Sequence, residues 1–158
     1  MNVLNNTINR LNFILDEAPQ KIKAIPEAEL SRKPAENKWS KKEIIGHLCD
    51  SAINNLSRFA RAQFEEEPFK VIPYAQDDWV RVNHYNEMKI EDILNYWSAI
   101  NKQIIHIISS IPEAKLGVIC ELGNAAFREG EIEKSLLWLI EDYVVHMEYH
   151  LRQVVGEI

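Results

Sequence analysis

Two of the five histidines in this 158-residue chain, His146 and His150, are spaced for joint metal binding. They stand four residues apart in a segment with helical periodicity. Residues i and i+4 of a helix lie on the same face, so both imidazoles can reach one metal ion. The pair flanks the apolar side of its helix, which includes Met147 and Leu151. This position suits a cleft at the edge of a core, although the spacing alone is a weak signal for a metal site.

A third histidine, His47, lies away from the apolar residues of its own predicted helix. At about 100° per residue it sits nearly opposite the stripe that contains Ile45, on the same side as Asp50. This placement argues against a packed core histidine and leaves two interpretations, a solvated surface ring or a polar pocket. His106 has a similar offset on another helix, and we expect its ring to be solvated at the surface. His84 falls in a loop, and we expect its ring to be structural or exposed.

Four segments carry the apolar repeat of three and four residues that is typical of amphipathic helices. They cover residues 3–22, 40–66, 91–111 and 135–155. Ser40 and Glu43 begin the second segment with a capping-box pattern, and Gly156 suits the position just past the fourth. With two long connections, these segments predict an all-α four-helix bundle that is not a simple up-down-up-down arrangement.

The two connections, residues 68–89 and 113–134, are long enough to carry function. The first is rich in aromatic and polar residues and contains a predicted short helix over 77–82. Its Tyr74, Trp79 and Tyr85, together with Trp138, either wall a pocket or pack in the core. In the second connection, residues 115–120 are expected to be extended without forming a sheet strand.

Composition and charge predict one globular domain over residues 1–158. The chain has 18 basic and 24 acidic residues, a net charge of −6. Non-specific nucleic-acid binding requires a basic surface, so nucleic acid is excluded as a partner. No apolar run approaches the roughly 20 residues that a membrane-spanning helix needs, so no membrane partner is expected.

The cysteines and the N-terminal residues bear on the cellular compartment. Cys49 and Cys120 form no disulfide framework, and their spacing fits no zinc knuckle. We expect two buried thiols in a reducing environment. The N-terminal residues have neither the basic start nor the apolar core of a signal peptide, so a cytoplasmic location is expected.

Four stretches of the sequence match a known pattern, in which they follow one another in the order of the chain. Residues 39–50 contain a Trp-Ser cap followed by a helix that carries His47 and Asp50 in a His-Leu-x-Asp element. Residues 139–153 contain the His-x-x-x-His pair, and residues 74–79 and 85–87 lie in the first connection. In this order and over nearly the whole chain, these stretches resemble the motifs of the DinB/YfiT-like superfamily.

The resemblance implies a bundle of four main helices in an up-down-down-up order, commonly assembled as a homodimer. It also implies one divalent metal ion held by His47, His146 and His150, with zinc the favoured ion and nickel also suited to imidazole ligands. Asp50 and Asp142 each lie about one turn from one of these histidines. They are either groups that orient the imidazole rings or solvated surface acids.

The function that the resemblance implies is that of a metalloenzyme acting on a small molecule. Three imidazoles leave a coordination position for water, as in a hydrolase, or for a low-molecular-weight thiol, as in an S-transferase. The absence of a glutamate base beside the histidines in sequence slightly favours thiol transfer, and no other catalytic residue is assigned. The alternative is a non-catalytic stress-response or binding module with a structural metal. Such a zinc needs four protein ligands, and neither cysteine is placed to be the fourth.

Overall fold

Four long helices dominate the computed structural model, which describes residues 3–123 and 132–158. They are α1 (Asn5–Lys23), α3 (Lys41–Arg61), α5 (Ile90–Ser109) and α6 (Leu136–Val155). Two short helices lie between them, α2 (Glu27–Leu30) and α4 (Gln76–Asn83). Single 3-10 turns cover Tyr85–Glu87 and Glu113–Lys115.

The long helices bury their predicted apolar stripes against one another. Helices α1 and α3 each pack against both α5 and α6, so the last helix returns to lie beside α1 and α3. Fully buried side chains from all four helices form the core, including Leu11, Ile14, Ile45, Leu48, Ile93, Trp97, Ile140 and Met147. This packing confirms the predicted all-α four-helix bundle. No helix in the described residues is long and apolar enough to cross a membrane.

Most helix boundaries agree with the sequence pattern. Pro19 lies inside α1, although a proline near the end of an apolar repeat is typical of a helix terminus. The third helix ends at Arg61, several residues before the predicted limit. Helix α2 is too short to show an apolar repeat and was not predicted, whereas α4 covers the short helix expected over 77–82.

The expectation that residues 115–120 form no sheet strand is wrong. Ile119–Glu121 forms the central strand β2, which pairs in parallel with β1 (Phe69–Lys70) and in antiparallel with β3 (Glu133–Ser135). Backbone hydrogen bonds therefore join the first long connection to the second. This pairing is long-range, so local periodicity cannot reveal it. Strand β3 runs directly into α6 and thereby determines where the last helix begins.

The N-terminus of α3 is anchored to the first long connection. Ser40 caps the helix, since its side chain accepts a hydrogen bond from the Glu43 amide, and the Glu43 carboxylate accepts one from the Ser40 amide. The Ser40 hydroxyl also donates to Asn86 Oδ1 at 2.7 Å. The predicted capping box is therefore confirmed, and it holds the helix end two turns before His47.

Candidate metal centre

The side chains of His47, His146 and His150 converge where α3 packs against α6. One ring nitrogen from each lies within 4.8 Å of the other two. Nε2 of His47 is 3.5 Å from Nε2 of His146. Two nitrogen ligands of a tetrahedral zinc ion are about 3.3 Å apart, given Zn–N bonds of about 2.0–2.1 Å. The spacing of these nitrogens therefore fits a single ion.

The helix packing explains how His47 reaches this cluster. Its side chain is fully buried, so of the two interpretations left open by the sequence, the polar pocket is correct. Between Lys42 and Ala52, α3 has buried residues on most of its circumference, because it packs against α5 and α6 and is also contacted by α4. His146 and His150 are half-buried on α6.

The three imidazole rings lie nearly perpendicular to one another. The angles between their planes are 72° to 76°, and the ring centroids are 4.6 to 5.3 Å apart. Trp39, the residue before the α3 cap, packs against the His47 ring with a centroid distance of 4.7 Å. The indole therefore restricts the orientation of His47. The Trp-Ser element predicts the start of the helix, but the contact between Trp39 and His47 was not foreseen.

Gln153 selects the nitrogen that His150 offers to the cluster. Its side-chain oxygen Oε1 lies 2.9 Å from His150 Nδ1. In the neutral ring, Nδ1 carries the hydrogen and donates it to Gln153, which leaves the Nε2 lone pair free. The sequence pattern assigns Gln153 no role. The i, i+3 spacing on one helix is the signal that could have indicated one.

The three histidines are in the neutral form that metal binding requires. Burial, together with the neighbouring imidazoles, lowers the pKa of His47 from 6.5 to about 3. Burial, together with His150 and the Arg58 guanidinium, lowers the pKa of His146 to about 4. Burial also lowers the pKa of His150. At neutral pH all three rings are uncharged, as metal ligands must be.

Asp50 is a fully buried carboxylate on the same helix as His47. Its Oδ1 atom accepts hydrogen bonds from the Tyr85 hydroxyl at 2.5 Å and from the Asn83 side-chain amide at 3.1 Å. Burial raises the pKa of Asp50 to about 6, although these two hydrogen bonds act in the opposite direction. The Tyr85 hydroxyl therefore orients the Asp50 carboxylate.

Two buried polar atoms near the centre lack a hydrogen-bond partner among the described residues. They are Nδ1 of His47 and Oδ2 of Asp50. The atoms are complementary, because a His47 ring that binds a metal through Nε2 carries its hydrogen on Nδ1 and needs an acceptor. The donor set, the nitrogen spacing and this unsatisfied atom all fit a metal ion.

Asp142 and the remaining histidines lie in different surroundings. Asp142 is half-buried one turn before His146, and both line a small cavity that contains Arg58. His84 and His106 are exposed, which the sequence predicts for His106 and allows for His84, and they do not join the cluster. Asp50 is therefore a fully buried acid, whereas Asp142 is only half-buried.

An open cleft gives access to the histidine cluster from the side of His150. A cavity of about 600 Å³ is lined by His150, Trp39, Ile44 and Tyr149, among others. A second cavity of about 440 Å³ shares Trp39 and Asp77 with the first. Trp39 and Tyr149 thus form aromatic walls that sequence reasoning had not identified.

The four aromatic residues that were expected either to wall a pocket or to pack in the core have separate surroundings. Tyr74 lines the small cavity beside His146, and its ring contacts Trp79 with a centroid distance of 5.6 Å. Tyr85 orients Asp50. Trp138 packs against the core and lies under the Lys134 ammonium. Of these four, Tyr74 alone lines a cavity that also contacts a cluster histidine.

Comparison with known proteins places the chain among related sequences. A family model of the DinB superfamily matches residues 11–154. A "putative metal-dependent hydrolase" of Halalkalibacterium halodurans is 23% identical over 131 residues, covering 83% of this chain and 72% of that protein. A protein of the same description from Oceanobacillus iheyensis is 24% identical over 157 residues, covering 98% of this chain and 81% of that protein.

Two solved proteins share the fold. YfiT from Bacillus subtilis, described as "a probable metal-dependent hydrolase with an unusual four-helix bundle topology", aligns with a TM-score of 0.77 and 16% identity, covering 95% of this chain and 85% of YfiT. A mycothiol-dependent maleylpyruvate isomerase aligns with a TM-score of 0.72 and 12% identity, covering 98% of this chain and 61% of the isomerase. At these identities the likeness concerns the fold alone.

Proposed function

The chain belongs to the DinB superfamily, and from this membership together with the histidine cluster we propose that it is a metal-dependent enzyme acting on a small molecule. The observation that carries the proposal is the convergence of ring nitrogens from His47, His146 and His150 within 4.8 Å. These three residues are the proposed ligands of one divalent ion, with zinc favoured and nickel also suited. The relatives described as metal-dependent hydrolases support this class of function.

The protein's own groups prepare the site for the ion. Gln153 holds His150 with its Nε2 lone pair free, and Trp39 restricts the ring of His47. We propose that Asp50 Oδ2 accepts the Nδ1 hydrogen of His47, which would satisfy both unpartnered atoms. If His47, His146 and His150 held a divalent ion, the ion would supply a Lewis acid that lowers the pKa of a bound water or thiol.

Hydrolysis and thiol transfer both remain candidate reactions. The names of the relatives support hydrolysis. The shared fold of the mycothiol-dependent isomerase supports a thiol substrate. No carboxylate joins the three ring nitrogens in the described part of the chain, so a ready base for attack by water is not part of the cluster. This last feature makes thiol transfer to an electrophile the leading proposal.

A non-catalytic module with a structural metal is the alternative. A structural zinc site is closed by four protein ligands. Among the described residues, three ligand groups converge, and the cleft of about 600 Å³ reaches one of them. Both cysteines are buried and stand outside the cluster. An accessible site with three ligands therefore favours catalysis over a structural role.

Metal analysis of variants tests the proposed ligands. The wild-type protein should hold one divalent ion per chain, and His47→Ala, His146→Ala and His150→Ala should each lose most of it while keeping their helical circular dichroism. His84→Ala and His106→Ala are matched controls and should keep full metal content. A His47→Ala protein with a full equivalent of metal would contradict the three-histidine site.

An activity panel separates the two reactions. The metal-loaded protein is incubated with low-molecular-weight thiols and an electrophile, and separately with ester and amide substrates. Thiol transfer predicts loss of free thiol that depends on metal and on His47. Ester or amide cleavage without any thiol dependence would assign the hydrolase reaction. If neither the thiol assays nor the ester and amide assays show activity, and no thiol binds the metal, the structural alternative is favoured.

A further inference from the structure

Arg58 is a buried cation that the proposed chemistry leaves unused. It lies on α3 three turns after His47, on nearly the same face of the helix, and its residue exposure is 6%. Its Nη2 atom donates to the Ile72 carbonyl at 2.9 Å, and Nη1 lies 3.4 Å from Asn55 Oδ1. The guanidinium also lies over the Tyr74 ring, 5.9 Å from its centroid.

Arg58 has no ion-pair partner in the described part of the chain, although Asp142 lines the same small cavity. Burial lowers the pKa of the guanidinium. A buried charge is retained at a cost unless a counter-charge or a set of hydrogen bonds compensates it. Two neutral oxygen acceptors satisfy only part of a guanidinium with five N–H donors.

A small polar cavity joins Arg58 to the histidine cluster. Its volume is about 20 Å³, and its lining includes Arg58, Ser51, Tyr74, Asp142 and His146. This space is about the size of one water molecule, or of one carboxylate oxygen that replaces it.

We propose that this cavity binds a carboxylate group of the substrate, with Arg58 as the residue that recognises it. The inference rests on the proposed function, because it places the carboxylate beside the ligand His146. A guanidinium matches the planar, two-oxygen shape of a carboxylate. The substrate class is then a small organic acid, or a thiol that carries a carboxylate group.

The other groups of the cavity narrow the choice of anion. Burial raises the pKa of Tyr74 to about 12, so its hydroxyl stays protonated at neutral pH. Asp142 contributes a carboxylate to the same lining, which disfavours ligands with two negative charges. The small volume also disfavours a tetrahedral phosphate. A singly charged planar carboxylate satisfies these conditions.

The first experiment measures anion binding without metal. The full-length protein, stripped of metal by a chelator, is titrated with formate and with its neutral analogue formamide, and the Arg58 Nε–H signal is followed by NMR. Formate should shift this signal with a Kd on the order of millimolar, whereas formamide should not. An Arg58 signal that formate leaves unchanged would overturn the proposal.

Variants separate recognition from a structural role of Arg58. Arg58→Gln should weaken formate binding about tenfold or more, as monitored by calorimetry. Arg61→Gln is a matched control one turn away, since Arg61 is ion-paired with Glu65 at the surface, and it should bind formate normally. If Arg58→Gln is misfolded by circular dichroism, Ser51→Val narrows the cavity instead, with exposed Ser57→Val as its control.

The second experiment tests whether one ligand occupies both the cavity and the metal site. The cobalt-loaded protein is titrated with 3-mercaptopropionate and with the neutral 3-mercapto-1-propanol, and thiol binding is read from the cobalt spectrum. The acid should bind about tenfold more tightly, and Arg58→Gln should remove the difference. Equal affinities would overturn the carboxylate subsite but leave thiol binding intact. Formate binding without any cobalt response would retain the subsite and contradict thiol ligation of the metal.

Discussion

At the scale of single residues, the candidate centre depends on pairs of hydrogen-bond donors and acceptors. Gln153 accepts a hydrogen from His150, and Tyr85 and Asn83 donate to Asp50. The pair formed by His47 Nδ1 and Asp50 Oδ2 is unsatisfied in the described residues. The three hydrogen bonds that are formed restrict the His150 ring and the Asp50 carboxylate to the orientations that the proposed site needs.

Asp50→Asn tests the proposed role of this acid in orienting His47. The asparagine keeps the shape of the side chain but presents an amide donor or an uncharged oxygen to the His47 Nδ1 hydrogen. We expect metal affinity to fall about 10- to 100-fold while the fold is retained. Competition with a chromogenic chelator measures the affinity, and Asp92→Asn, at an exposed position on α5, is the control. An unchanged affinity in Asp50→Asn would remove Asp50 from the site.

Gly46→Ala tests the close contact that brings Tyr85 to Asp50. A Cβ atom at residue 46 would lie 2.1 Å from the Tyr85 ring, and that ring is buried and cannot move freely. We expect a loss of about 1–3 kcal/mol in the free energy of unfolding, together with weaker metal binding as Tyr85 is displaced. Urea denaturation measures the first effect. The same substitution at Gly117, which has open space around it, should leave metal binding unchanged.

At the scale of elements, the ends of α3 and α6 determine where the histidines meet. Ser40 caps α3 and contacts Asn86, while β3 runs directly into α6 at Ser135, which caps that helix. The three-stranded sheet therefore links the start of α6 to the first connection through β2 and β1. Two helix ends fixed in this way hold His47 opposite His146.

Ser40→Ala tests the capping contribution. The substitution removes the hydrogen bond to the Glu43 amide and the contact with Asn86, both in a fully buried position. We expect a loss of about 1–2 kcal/mol in the free energy of unfolding, because N-cap losses usually reach this size. Thermal or urea denaturation provides the measurement. Ser57→Ala, on the exposed side of the same helix, should change stability little, and equal effects of the two would contradict the argument.

At the scale of the whole molecule, the neutral buried histidines link folding to pH. The pKa is about 3 for His47 and about 4 for His146 in the folded protein, against 6.5 for the free side chain. Below pH 6.5 the unfolded chain binds protons that the folded chain does not. Stability that is present above pH 6.5 is therefore lost as the pH falls toward 4. Asp50, with its pKa raised from 3.8 to about 6, partly opposes this loss.

Urea denaturation of the metal-free protein at pH 7 and at about pH 4.5 checks this linkage. We expect a lower midpoint at the acidic pH, and a smaller decrease in His47→Gln, which has no imidazole to protonate at this position. His106→Gln is the control, because its ring is exposed. A midpoint that is independent of pH across this range would contradict the buried, neutral state of the cluster.

Self-association is a second property of the whole molecule. Phe13 on α1 and Val145 and Tyr149 on α6 are large apolar side chains with exposures of 46%, 56% and 58%. They lie within three positions of the Arg10–Glu148 ion pair that joins these two helices. We expect a homodimer that buries these side chains, with light scattering giving about twice the chain mass of 18.4 kDa. A Phe13→Glu variant should then be monomeric, and a monomeric wild-type protein would contradict the expectation.

The sequence by itself determined the bundle and the placement of His146 and His150 on one side of the last helix. Apolar residues repeated every three and four positions define four helices, and Ser40 with Glu43 marks the start of α3, because these signals are local to one segment. The spacing of His146 and His150 places both on one side of α6 for the same reason. The identification of His47 as their partner came from the superfamily resemblance, since periodicity left its surroundings open.

Only the tertiary structure decided which groups surround the three histidines. The burial of His47 and Asp50, the contact of Trp39 with the His47 ring and the cavity beside Arg58 all arise between segments that are distant in sequence. The pairing of Ile119–Glu121 with both neighbouring strands has the same origin. Helical periodicity reports one face of one helix, whereas burial, pKa and cavity shape depend on everything that packs against that face.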